Sequence, residues 1–259
     1  MKEKRVRIFT LHRRALAALV TLALAAGIFC VTLYPASYMA VASQRQLPIY
    51  SVERSDRLCA ISFDAAWGNE DTQTLIDILA RYNVKTTFFV VGDWVDKYPE
   101  SVKALHDAGH EVMSHSDHHD HYNALSAEEI RADINASCDK VEAITGCRPT
   151  LIRCPYGEYD DHVISAVRSL GMEPIQWDVD SLDWKDYDAD TIYQRVTSKV
   201  QPGSIVLFHN AALHTPEALP RILETLIRDG YTVVPISQLI LTGAYTIDHT
   251  GRQFPAEGE

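Results

Sequence analysis

The chain has 259 residues, 46% of them apolar and 23% charged, which suits one α/β core once an apolar N-terminal stretch is set aside. The formal net charge is −11, yet residues 1–14 hold six Lys/Arg against one Glu, so the remainder carries −16. An acidic body excludes nucleic acid as the main partner, because phosphates need a basic face.

Residues 1–14 read as a basic cytoplasmic tail. The next segment, ALAALVTLALAAGIFCVTLY at 15–34, is 20 residues without a charge, about the length that crosses a bilayer as a helix. Its basic flank places the N-terminus inside and residues 35–259 outside a cell membrane. A signal peptide cleaved near Ala40 or Ala42 is the rival reading, although such apolar regions normally run about 7–15 residues. The expected order is then a single-pass transmembrane helix at 15–34, a linker at 35–55, one domain at 56–243 and a loose tail at 244–259.

From residue 57 short apolar runs alternate with amphipathic ones. RLCAISF (57–63), TTFFVVG (86–92), HEVMSH (110–115), LIRCP (151–155), MEPIQWDV (172–179), GSIVLFHN (203–210) and YTVVPI (231–236) read as strands. Helices are expected over 71–83, from Pro99 to Gly109, over 126–146, 160–171 and 189–200, from near Pro216 to Gly230, and over 237–243. Ser126 with Glu129 spells a capping box and Gly146 a stop. Strand alternating with helix predicts a parallel sheet, and seven or eight such units suit a closed or nearly closed barrel.

The polar residues fall at strand ends. Asp64 follows the first strand, His115 the third, Arg153 the fourth, Asp178 and Asp180 the fifth, and His209 the sixth. In a parallel β/α barrel all these ends open on one face, so the side chains should converge there. HSDHHDH adds His118, His119 and His121. His115 and His119, four apart, can face one metal if the chain turns helically, and neutral imidazole suits zinc; a solvated His-rich loop has the same spelling. WDVDSLDW (177–184) joins three acids to two Trp, whose faces pack against sugar rings. Of five cysteines, Cys30 lies in the apolar stretch. Cys138 and Cys147 are spaced for either a disulfide or free thiols, and no CxxC pair offers a thiolate zinc site.

In their order, SFDAAWG, HSDHH, RCPYG, DSLDW and IVLFH make residues of about 55–240 resemble the polysaccharide deacetylases, the NodB-homology domain or carbohydrate esterase family four. The resemblance implies a distorted (β/α) barrel of about seven parallel strands. It implies a hydrolase that removes N-acetyl or O-acetyl groups from a cell-wall polysaccharide such as peptidoglycan, with a divalent metal, zinc or else cobalt. It assigns Asp64 as base, Arg153 as the partner of that base, and His115 and His119 as metal ligands. The backbone N–H of Tyr156 becomes an oxyanion donor, Trp184 a groove wall and Leu207 the acetyl-methyl pocket. Asp183 orients His209, the general acid.

The family's usual first motif is FDDGP, whose second Asp is a metal ligand. Here Ala65 stands in that place, as in an FDxxWG subgroup linked to sporulation and wall maturation. Two histidines and water then remain, with Asp64, Asp117 or His118 as candidates to join them. Losing an anionic ligand weakens the pull on a dication and raises the pKa of its water. An active wall deacetylase, an impaired homologue that binds glycan, and an enzyme for another acetylated substrate such as an acyl ester all remain open at this point.

Overall fold

The computed structural model describes residues 16–25 and 45–256. Residues 16–25 are helical, and among the described residues no helix is long and apolar enough to cross a membrane. Most of the apolar stretch at 15–34, and with it the expected membrane-spanning helix, lies outside the described residues. A separate unit begins at Gln46.

Its elements run β1 (Ser51–Val52), β2 (Leu58–Ala65), α1 (Thr72–Arg81), β3 (Thr87–Val90), α2 (Gly92–Lys97), α3 (Pro99–Asp107), β4 (Glu111–Ser114) and α4 (Ala127–Thr145). They continue with β5 (Leu151–Ile152), α5 (Asp161–Ser169), β6 (Glu173–Pro174), β7 (Val179–Asp180), α6 (Ala189–Thr197), β8 (Ile205–His209), α7 (Thr215–Arg228), β9 (Thr232–Val233), α8 (Ile236–Leu239), β10 (Tyr245–Ile247) and β11 (Arg252–Pro255). The capping box forms as spelled: Ser126 and Glu129 exchange bonds at the start of α4, and Gly146 ends it at φ 72.

Seven parallel strands in the order β6-β5-β4-β3-β2-β8-β7 form a curled sheet, and β9 pairs with the start of β2. Alternation along β2 sorts its two faces. Cys59, Ile61, Phe63 and Ala65 pack outward against apolar side chains of α1 and α7 such as Leu75 and Leu219, whereas Ala60 packs inward with Phe89, Leu151 and Ile205. Both faces are buried, as a parallel strand requires.

The expected distorted barrel of about seven parallel strands is present as a half-barrel, open between β6 and β7. Three other sequence expectations need correction. The run 172–179 is two short strands, one at each edge, because the segment between them spans the opening. Residues expected to be linker fill part of that opening. Ile49 N–H donates to Pro174 O at 2.9 Å, Gln176 N–H donates to Ile49 O at 2.7 Å, and Val52 N–H donates to Gly203 O at 2.9 Å. A Cβ on Gly203 would stand 1.7 Å from Val52 O, so only glycine allows that approach.

The tail expected to be loose is ordered too. β10 and β11 pair antiparallel, and β11 pairs parallel with β1. The fully buried Gln253 amide exchanges bonds with the backbone of Leu241, N–H to Oε1 at 2.8 Å and Nε2 to O at 3.1 Å. These strands are short and polar, which is why no apolar run announced them.

Cys138 is buried and Cys147 exposed, and both are free thiols.

Candidate active site

The C-terminal ends of the strands surround a cavity of about 370 Å³ lined by Asp64, Trp67, His115, His119, Tyr156, Trp184, Leu207 and His209, among others. Of the nine residues to which the resemblance gives a role, seven line it. The other two, Arg153 and Asp183, lie buried directly behind it.

Asp64 forms its floor, with Arg153 behind it. In β2 the even-numbered side chains face inward, so Asp64 points into the mouth. Arg153 follows β5 and is fully buried, with its guanidinium 4.3 Å over the Phe89 ring. Its Nη1 donates to Asp64 Oδ1 at 2.7 Å, and Nη2 donates to Ser62 Oγ at 2.9 Å and to Gln176 O at 3.1 Å. Burial pushes the Asp64 pKa up, but the adjacent Arg153 guanidinium, with which it shares a hydrogen bond, outweighs it and holds the carboxyl below the usual carboxylate range. Asp64 is therefore an anion at neutral pH.

His209 faces Asp64 because the strand register puts them side by side on β2 and β8. Its Nδ1 donates to Asp183 Oδ1 at 2.8 Å, and its backbone N–H donates to Asp183 Oδ2 at 2.9 Å. Thr215 Oγ1 donates to the same Oδ2 at 2.7 Å, and Trp184 N–H donates to Oδ1 at 3.0 Å. Four donors fix this buried carboxylate. Burial lowers the His209 pKa, but the hydrogen bond and charge of Asp183 more than reverse that and raise it above its ordinary value. With Nδ1 committed to Asp183, Nε2 is left for the cavity.

His115 and His119 stand on the opposite wall, their rings 4.8 Å apart at 77°. His115 Nδ1 donates to Arg153 O at 2.7 Å, which leaves the Nε2 lone pair 3.6 Å from Asp64 Oδ2. Burial depresses both pKa values, that of His119 to about 4, so both imidazoles are neutral at pH 7. His119 has φ 58 and Tyr156 φ 59, and Ser116, Leu182 and Ala211 also take left-handed backbone in these loops. Each costs on the order of 1 kcal/mol, and such strain gathers at sites where side chains must be aimed.

The neutral imidazoles fit a borderline divalent ion as far as two ligands go. Among the described residues no group of three or more His, Cys, Asp or Glu is placed to hold a metal. Ala65 is 1% exposed within the apolar outer layer. The other candidates are engaged elsewhere: Asp117 Oδ1 meets Lys140 Nζ at 2.7 Å, and His118 bridges Asp93 at 3.0 Å and Asp117 at 3.2 Å. Neither lines the cavity. Asp178 does not reach it either, because its carboxylate accepts from Ser204 Oγ and Ile205 N–H at the start of β8, whereas Asp180 does line it.

The polysaccharide deacetylase family profile matches residues 51–175. The peptidoglycan-N-acetylglucosamine deacetylase of Bacillus cereus is 30% identical over 71% of this chain and 68% of its own length. The chain belongs to the polysaccharide deacetylase family. Another member, the peptidoglycan-N-acetylmuramic acid deacetylase PdaC of Bacillus subtilis, is 35% identical over 73% of this chain, which spans only 40% of PdaC. Among solved structures, BA3943 of Bacillus anthracis, described as a pseudoenzyme of carbohydrate esterase family four, superposes with a TM-score of 0.72 at 35% identity, covering 74% of this chain and 68% of that one. A BA3943 mutant with restored enzymatic activity is equally similar in fold, with a TM-score of 0.72 at 36% identity, covering 74% of this chain and 71% of that one.

Sequence reasoning gave no role to Trp67. It is 56% exposed, and its ring lies 5.8 Å from that of His209. It also missed Asn210, Thr215 and Gln176, which hold the site from behind. An exposed Trp in a strand-end loop was the one available signal for Trp67. The other three are ordinary polar residues whose partners are distant in sequence.

Proposed function

We propose that this chain hydrolyses N-acetyl groups on a cell-wall glycan. The observation that carries this reading is the pairing of a charge-stabilised base with a charge-stabilised acid, Asp64 held by Arg153 and His209 held by Asp183, on neighbouring strands across one cavity. A site that only binds glycan has no use for that combination.

In this reading the acetamide lies with its methyl toward Leu207 and its sugar against Trp184. Asp64, an anion at neutral pH, accepts a proton from the attacking water. The new oxyanion is met by the Tyr156 backbone N–H. His209, charged through Asp183, donates its Nε2 proton to the departing nitrogen. The C–N bond breaks, and acetate and the free sugar amine result. Arg153 keeps Asp64 aimed throughout, and ionised until it takes that proton. A divalent cation such as zinc or cobalt, held by His115 and His119, would supply Lewis-acid polarisation at the same place. Ala65 supplies no third, anionic ligand.

The uncharged stretch at 15–34 and the basic residues before it support placing this domain outside the cell on a membrane anchor. A second reading, a glycan-binding pseudoenzyme, is favoured by Ala65 and by the likeness to BA3943. Acetate release from acetylated peptidoglycan oligosaccharides, measured with and without added zinc, separates the two.

A further inference from the structure

Three exposed aromatic residues border the cavity: Trp67, Tyr156 and Trp184, each more than half exposed. An isolated exposed indole is unremarkable, but Trp67 is not left to chance. The two residues flanking it are clasped by one side chain. Ala66 N–H donates to Asn210 Oδ1 at 3.2 Å, and Asn210 Nδ2 donates to Gly68 O. Asn210 is 2% exposed and follows directly on His209 at the end of β8. Its own N–H donates to Asp64 O at 3.0 Å, so one residue joins the base strand, the acid strand and the Trp67 turn. Two further bonds reinforce the turn: Trp94 Nε1 donates to Gly68 O at 2.9 Å, and Ala211 N–H donates to Asp71 Oδ2 at 2.9 Å.

A buried amide that satisfies both its donor and its acceptor on either side of an exposed ring fixes the backbone turn that presents that ring. The ring so presented is tilted 40° to His209. Trp184 borders the same histidine from another element, since its N–H shares Asp183 Oδ1 with His209 Nδ1.

We propose that Trp67 is a carbohydrate platform, held by Asn210 as its positioning residue, so that a pyranose chain meets two indoles beside His209. The inference rests on reading the cavity as a glycan site. The ligand class is a β-linked acetamido-sugar oligomer, whose apolar C–H face suits an indole and whose acetamide reaches the Asp64 and His209 pair. An indole carried on a fixed turn, with only two side-chain torsions left to order, adds contact at little cost, so its loss acts on affinity.

The test is calorimetric titration of the whole chain with a tetrasaccharide of N-acetylglucosamine, for the wild type, Trp67→Ala, Trp67→Phe, Asn210→Ala and the Trp67→Ala/Asn210→Ala pair. Circular dichroism checks that each variant folds. Trp67→Ala should weaken binding about tenfold, and Trp67→Phe should recover most of the loss. Asn210→Ala should weaken binding alone but add almost nothing in the Trp67→Ala background, because its effect passes through that ring. Unchanged affinity in Trp67→Ala, additive losses in the pair, or no binding by the wild type would each overturn the proposal. If Asn210→Ala does not fold, the contrast between Trp67→Ala and Trp67→Phe still decides for or against the platform. Acetate release, followed in parallel, separates the two readings. Binding that depends on Trp67 without acetate release leaves the platform standing and removes catalysis. Acetate release with binding indifferent to Trp67 does the reverse.

Discussion

Arg153 Nη1 stands 2.7 Å from Asp64 Oδ1, the Arg153 side chain fully buried and that of Asp64 7% exposed. Neither charge is stable there alone, because a buried ion without its partner keeps its desolvation cost and loses its attraction. Asp64→Asn should therefore lower stability by about 3–5 kcal/mol as well as abolish any base function. Urea denaturation measures the first effect and acetate release the second. Full stability in this variant would mean that the pair is not the electrostatic keystone described.

The pH dependence follows from the two shifts. Asp64 is depressed on folding, so its contribution to stability is present above the ordinary carboxylate range and is lost as pH falls through its lower folded value. His209 is raised, so its contribution is complete below about 6.5 and is lost as pH rises through its higher folded value. Activity should fall away at both ends, with the alkaline limb above 6.5. NMR titration of His209 should give a pKa above that of a free imidazole, and Asp183→Asn should bring it down. A His209 that titrates at or below the free value in the wild type would remove it as the acid.

His119 works the other way. Its pKa is depressed to about 4, so folding favours the neutral ring, and that contribution is lost as pH falls from 6.5 through 4. A neutral ring is also what a metal needs. Equilibrium dialysis against zinc should show His115→Ala or His119→Ala losing whatever zinc the wild type retains, and retention in the wild type failing as pH falls toward about 4. Zinc bound equally by His115→Ala would move the site elsewhere.

Asp133 on α4 supports the turn that carries His119. It accepts from Asp117 N–H at 2.9 Å, His118 N–H at 3.3 Å and Tyr122 Oη at 2.5 Å. Asp133→Ala should strand those donors, cost about 2 kcal/mol, and weaken zinc retention without touching a ligand. An effect on stability with zinc binding unchanged would show that the turn holds its shape without it.

Much of the site was legible because its logic is that of parallel strands. An apolar run buried on both faces ends where a polar residue appears, and all such ends share one mouth, so Asp64, His115, Arg153 and His209 could be placed together from spacing. Asp178 broke the rule because the run 172–179 is two strand ends joined across an opening, which puts it at the start of β8. The path of the chain from 45 to 56 and from 244 to 256 was hidden, since strands of two to four residues held by Gln253 and Gly203 leave no periodic trace. The Asn210 clasp was hidden for the same reason: its bonds to residues 66 and 68 join segments more than 140 positions apart.

The central claim is that Asp64 and His209 together cleave an acetamide. The most direct measurement is acetate released from acetylated peptidoglycan oligosaccharides by the purified chain with added zinc, compared with Asp64→Asn. Release by the wild type that drops by at least about a hundredfold in the variant is the predicted result. Glycan binding with no acetate from either protein would contradict it and leave a binder built on a deacetylase frame.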